Sequence, residues 1–162
     1  MTTAADNELS TLPKVCLPRE LVRNPLFVLG RTGYRVKTAA LEEFERQGFH
    51  PYHHSVLALL EEGARETQGA IADALGYDRG QLVGLLDELE EAGLLERRRD
   101  PNDRRRHVVR LTPAGRKTLT KLRTLSSKVE EEFLTALDES ERETLHRLLL
   151  ALAGEHLPNC RQ

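Results

Sequence analysis

The chain has no tryptophan, one methionine and two cysteines in 162 residues, and aromatic residues make up only 4%. With so few rings, aliphatic side chains must build the core, and leucine is plentiful. Two cysteines, Cys16 and Cys160, are too few for a disulfide framework or a zinc ribbon, and they favour a reduced, cytoplasmic compartment. Long apolar runs are also missing. The longest purely aliphatic stretch covers residues 148–153, far short of a bilayer span, so no membrane partner is expected. Residues 1–13 have neither a positive n-region nor an apolar h-region, so no secretory signal is expected. There is no Gly-x-Gly-x-x-Gly, no P-loop, no His-Glu-x-x-His, and no Ser or Cys plausibly placed beside a base. An enzyme is therefore not expected, nor a cofactor.

What is present fits a soluble helical protein, with 39% hydrophobic and 31% charged residues. The length suits one domain or one domain with an appendage, enough to bury a core without disulfides or metals. The net charge of −2 hides an asymmetry. Between Arg97 and Lys117 stand nine basic residues (Arg97, Arg98, Arg99, Arg104, Arg105, Arg106, Arg110, Arg116 and Lys117) against Asp100 and Asp103, a local +7 inside a remainder of −9. Such a run is either a solvated face or a surface for a polyanion. Arginine at every basic position from 97 to 110 favours the polyanion, because its planar fork matches phosphates and groove edges.

Residues 1–24, with Pro13 and Pro18 and little periodicity, read as an extended or partly disordered N-terminal arm. A helix is expected over 25–48, opened by Pro25 and stopped by Gly48, with Phe27, Gly30, Tyr34, Leu41 and Phe44 at helical steps. A second runs over about 51–62, with Val56, Leu57 and Leu60 inward. Thr67 caps a third, which Gly76 stops. Asp78 opens a fourth, with Gln81 completing a capping box, and Leu82, Leu85, Leu86 and Leu89 follow the i, i+3, i+4, i+7 pattern. Two helices joined by the short turn Gly76-Tyr77-Asp78 make a helix-turn-helix.

The period then changes. Residues 94–98 and 107–111 read as two strands around the turn-rich Asp100-Pro101-Asn102-Asp103, a hairpin with a basic tip. Thr112 and Pro113 open a long helix over 112–137, and Asp138 with Glu141 caps a last one carrying Leu145, Leu148, Leu149 and Leu152. The expected fold is mainly α with a small β hairpin. A winged helix-turn-helix covers 51–112, and a helical dimerisation region covers 25–50 and 113–162. The flanking helices carry more apolar face than one subunit can cover, which a two-fold homodimer would absorb.

The stretch from Val56 to Gly115 resembles the MarR family of winged-helix transcription regulators. The resemblance rests on Thr67-Gln68, Ile71-Ala72, Leu75-Gly76 and Leu89-Glu90-Glu91-Ala92-Gly93-Leu94-Leu95-Glu96-Arg97. Its sharpest parts are Asp100-Pro101-Asn102-Asp103-Arg104-Arg105-Arg106 and Leu111-Thr112-Pro113-Ala114-Gly115. It is sharp over about 60 residues and matches only in pattern elsewhere. It implies a dimer on a pseudopalindromic double-stranded DNA operator, usually a repressor, relieved by a small molecule or by oxidation. It also places Arg105 in a minor groove, with Asp103 holding its guanidinium. Narrow A·T-rich minor grooves attract arginine, and Asp103 also suits the turn itself.

The fourth helix has a divided solvent side. Arg79, Gly80, Gln81, Val83 and Gly84 occupy its first half and Asp87, Glu88, Glu90 and Glu91 its second. Phosphates would repel the second half, so the first half should enter the major groove. There Arg79 suits guanine or phosphate, Gln81 adenine, and Val83 a thymine methyl. Gly80 and Gly84 either let the backbone approach bases or let another helix pack close. Thr67 and Gln68 are placed for phosphates, as are Arg104 and Arg106 on the wing. By resemblance, an effector would lie among Phe27, Arg31, Tyr34, His53 and Leu122, and Arg31 would pair with a carboxylate such as that of an aromatic acid. His50, His53 and His54 raise a metal reading, but neighbouring histidines diverge on a helix, so no metal site is expected. Cys16 and Cys160 offer an alternative, thiol-based redox sensing. A winged-helix interaction module without DNA binding is another, but it would not need the arginine-rich wing.

Overall fold

A computed structural model describes residues 17–63, 67–99 and 107–157. The chain divides into two units, one up to Lys37 and one from Thr38 onward. In order, the described elements are α1 (Arg19–Val22), α2 (Pro25–Glu45), α3 (Pro51–Glu62), α4 (Gln68–Leu75), α5 (Arg79–Glu91), β1 (Leu95–Arg99), β2 (His107–Leu111), α6 (Pro113–Leu134) and α7 (Glu139–His156).

The first unit corrects the expected extended arm where it is described. Residues 19–22 form one helical turn, with the Leu21 N–H donating to Pro18 O at 3.0 Å and the Arg23 N–H to Arg19 O at 3.0 Å. A single turn is too short to leave a hydrophobic period, so the sequence pattern could not announce it. Asn24 then caps α2, its Oδ1 accepting from the N–H groups of Leu26 and Phe27.

The second unit is built on the expected caps and stripes. Thr67, Thr112 and Asp138 each accept a backbone N–H at the start of α4, α6 and α7, and Glu141 answers Asp138 in a full capping box. Asp78 caps α5 through the N–H groups of Gly80 and Gln81, but the expected return bond from Gln81 is not made. His50 and His53 cap α3 reciprocally. His50 Nδ1 accepts from the Tyr52 N–H, and His53 Nδ1 accepts from the His50 N–H, each at 3.1 Å.

Val56, Leu57, Ile71, Leu82, Leu86, Leu89, Leu95, Val109, Leu119 and Leu122 lose nearly all contact with solvent and form one core, to which α3, α4, α5, the hairpin and α6 all contribute. β1 and β2 are antiparallel, with Leu95 opposite Leu111 and Arg97 opposite Val109. The hairpin is tied to α6 by a hub. The Thr112 hydroxyl donates toward Gly93 O (2.8 Å) and Leu94 O (3.1 Å) while accepting from the Gly115 N–H (3.0 Å). A Cβ on Gly115 would lie 2.0 Å from Leu94 O, so only glycine lets α6 start this close to the strand. α6 ends at Leu134 rather than at 137, and the Thr135 hydroxyl bonds back to Glu131 O and Glu132 O. α7 is fully helical yet buries no residue. Among the described residues, no helix is long and apolar enough to cross a membrane.

Candidate nucleic-acid interface

α4 and α5 are joined by Gly76-Tyr77-Asp78, with Gly76 left-handed at φ 66°. The half-buried Tyr77 ring lies 4.6 Å from that of Tyr52, and burial pushes its hydroxyl pKa up. This contact fixes the turn to α3. Leu82, Leu85, Leu86 and Leu89 anchor one side of α5 in the core. The other side is left to solvent. Arg79 is 80% exposed, its guanidinium 4.0 Å from the equally open Asp73, a separation that leaves it free to reach elsewhere. Gln81 is exposed and Val83 is 44% exposed.

The two glycines of α5 have open space around them. A Cβ at Gly84 would meet nothing within 4 Å, and one at Gly80 would meet only the cap oxygen of Asp78. No described helix packs on them. In a helix interior each costs about 1 kcal/mol against alanine. Thr67 is half-buried at the start of α4, its oxygen accepting from the Ala70 N–H, with Gln68 beside it.

The second half of α5 is occupied from within. The Arg97 backbone N–H donates to Glu90 Oε1 (3.0 Å) and its Nη1 to Glu90 Oε2 (2.6 Å). Its Nη2 lies 2.6 Å from Asp87 Oδ1, a charge contact without hydrogen-bond alignment. Because His53 Nδ1 accepts a backbone N–H, its proton sits on Nε2, 3.0 Å from Glu88 Oε2. The basic run is thus partly spent inside the molecule. Arg97 serves α5, and Arg98 pairs with Glu96 on its own strand at 2.8 Å. Asp103, Arg104, Arg105 and Arg106 of the same run lie outside the described residues, as do Cys16 and Cys160.

The expected effector residues are shared between the two units. Phe27, Arg31 and Tyr34 fall in the first unit, with Tyr34 64% exposed. His53 is held by its cap and by Glu88, and Leu122 is fully buried in the core of the second unit. Sequence reasoning missed Glu43, a buried carboxylate at the end of α2. Lys128 on α6 hydrogen-bonds it at 2.8 Å, and that bond, with Arg46 at 2.7 Å, holds its pKa below the usual carboxylate range. The only signal for it was an acid beside Phe44 on an otherwise inward stripe. Among the described residues, no three His, Cys, Asp or Glu side chains are grouped to hold a metal ion.

Residues 47–106 match the MarR family. The chain is 30% identical over 131 residues to a putative transcriptional regulatory protein for the hcr operon of Thauera aromatica, covering 76% of this chain and 79% of that protein. The transcriptional repressor CouR bound to a 23-mer DNA duplex superposes with a TM-score of 0.76 at 33% identity, covering 85% of this chain and 98% of CouR. CouR of Rhodococcus jostii RHA1 bound to p-coumaroyl-CoA gives a TM-score of 0.70 at 29% identity, covering 84% and 96%.

Proposed function

The chain belongs to the MarR family of transcriptional regulators, and on that premise we propose that it is a homodimeric repressor whose grip on a pseudopalindromic operator is released by a small molecule. The observation that carries this reading is the divided surface of α5. Its apolar side is locked in the core, while Arg79, Gln81 and Val83 stand open around Gly80 and Gly84, where no described helix packs. That is the surface a helix needs to enter a major groove. Arg79 has donors for guanine or phosphate, Gln81 pairs with adenine, and Val83 meets a thymine methyl. Thr67 and Gln68 take phosphates beside it. Arg105, held by Asp103 and flanked by Arg104 and Arg106, reaches the minor groove from the wing.

The dimer reading is supported by the apolar side chains that the described fold leaves uncovered. Leu148 is 49% and Leu152 47% exposed on α7, and Leu26, 73% exposed, opens α2. A shallow groove between α6 and α7, about 480 Å³, has Leu134, Leu145 and Leu149 on its wall. Two copies that interlock these helices would set two α5 helices about 34 Å apart, one turn of DNA. For the effector, Arg31 suits a carboxylate, in keeping with an aromatic acid or an activated form of one. Phe27, Tyr34, His53 and Leu122 complete the set to be tested.

A gel shift and footprint on genomic fragments test this, with light scattering for mass. The expected result is a dimer protecting an inverted repeat with half-sites one turn apart. Arg105→Ala should weaken all sites and lower the salt slope by about one. A monomer, a single protected half-site, or no shifted fragment overturns the reading. Peroxide that cross-links subunits and releases DNA only when Cys16 and Cys160 are present would replace the small-molecule effector with a redox one.

A further inference from the structure

We propose that Arg97 is a positioning residue for DNA readout, which never touches DNA and instead fastens the acidic half of α5 to the base of the wing. The proposal rests on the DNA-binding reading above and assigns a task to a residue that this reading does not use.

From the sequence, Asp87 and Glu90 are negative charges that phosphates repel, and Arg97 is one of three consecutive arginines pointing at DNA. The fold reverses both roles. Strand alternation turns Arg98 outward, 64% exposed, whereas Arg97 points inward beside the fully buried Val109. The Arg97 side chain is only 19% exposed, against 52% for Asp87 and 36% for Glu90. Asp87 and Glu90 are three residues apart and so share a face of α5. Arg97 closes on Glu90 with both its backbone N–H and its Nη1, and on Asp87 with Nη2.

A guanidinium this far from water depends on its two carboxylates. Its Nε is buried with no hydrogen-bond partner among the described residues, so little solvent is available to replace a lost acid. The clamp joins two parts that must meet DNA together. One is α5, whose first half faces the bases. The other is β1, which runs directly into residues 100–106 and their arginines. Holding the back of α5 against β1 fixes the spacing between groove reader and wing. Glu88 bonded to His53 holds the same half of the helix to α3.

The two views of the acids predict opposite signs. If Asp87 and Glu90 only repel phosphate, Glu90→Gln tightens DNA binding. If they anchor Arg97, Glu90→Gln loosens it although a negative charge has been removed. The probe is the duplex that the wild-type chain enriches from a randomised library, beside a scrambled duplex of the same composition, followed by fluorescence anisotropy over a salt series. Glu90→Gln and Arg97→Met are each expected to weaken the enriched duplex about tenfold, with the scrambled duplex and the salt slope unchanged. Tighter binding by Glu90→Gln, or no change, overturns the clamp. So does an Arg97→Met variant that weakens both duplexes equally and lowers the slope by about one, the mark of a lost phosphate contact. Should Arg97→Met fail to fold, as read by thermal melting, Glu90→Gln decides alone. A wild-type chain that enriches no duplex removes the DNA-binding reading and the clamp together, whereas a binding wild type with an indifferent Glu90→Gln removes only the clamp.

Discussion

α5 and α7 read alike in sequence and end differently in the fold. Each opens on an aspartate that accepts backbone N–H groups, and each carries at least four leucines at helical spacing. In α5 all four leucines are buried, whereas α7 buries none and leaves Leu148, Leu149, Leu150 and Leu152 between 37% and 49% exposed. Caps and stripes decide that a helix forms and which side it offers. Whether that side is covered depends on what the rest of the chain brings to it. Around α5 the chain brings α3, α4 and β1. For α7 it brings much less, and the uncovered leucines are where a second copy would gain most from excluding water.

The largest effect that sharpens this contrast is on stability. Leu86→Ala should cost about 2–5 kcal/mol in urea melts at low protein concentration, while Leu149→Ala there stays within about 0.5 kcal/mol. Equal losses would show that α7 is packed within one chain after all. Next comes assembly. Leu148→Glu with Leu152→Glu places two carboxylates on one turn of the α7 face, and light scattering should find half the mass with the α5 core still folded. A variant of unchanged mass would move the interface elsewhere. A smaller change is expected for the exposed side of α5. Gln81→Ala should lose about 1–3 kcal/mol on the enriched duplex and accept other bases at one position, with random DNA unaffected. Equal losses on both would take Gln81 out of the readout.

The smallest effect is a pH dependence carried by the core side. Burial, with Arg123 adding to it, holds the His54 imidazole below its ordinary pKa. The unfolded chain therefore binds the proton more readily, and stability falls as the pH drops below about 6.5. Glu43, held below the usual carboxylate range by the Lys128 bond, adds a second loss at lower pH, once the carboxyl that is ionised in the fold must be protonated. Thermal melts from pH 7.5 downward should show the first decline in the wild type and lose it in His54→Gln, with the lower decline kept. A decline near pH 6.5 that survives the substitution would assign it to another group.

Much of the winged core was legible because its signals are local. Leu82, Leu85, Leu86 and Leu89, the caps at Thr67, Thr112 and Asp138, and the stop at Gly76 act within a turn of themselves, and the structure keeps them all. The candidate site was legible to the same depth, since exposure of Arg79, Gln81 and Val83 follows once the leucines are known to face inward. What stayed hidden were partnerships across the fold: Arg97 with Glu90 and Asp87, His53 with Glu88, and Glu43 with Lys128, residues 85 apart in the chain.

By itself, then, the amino-acid order determined where helices and strands begin, which side of each is apolar, and that arginine concentrates beside one hairpin. Those follow from backbone sterics, capping and a repeat of 3.6 or 2 residues, all acting over a few positions. Only the tertiary structure decided which charges face outward and which are consumed inside, and why Gly115 admits no side chain. It also decided that one leucine stripe is covered while another is not. A hydrogen bond or an excluded solvent shell requires two surfaces to meet, and their meeting is settled by the packing of all the elements at once.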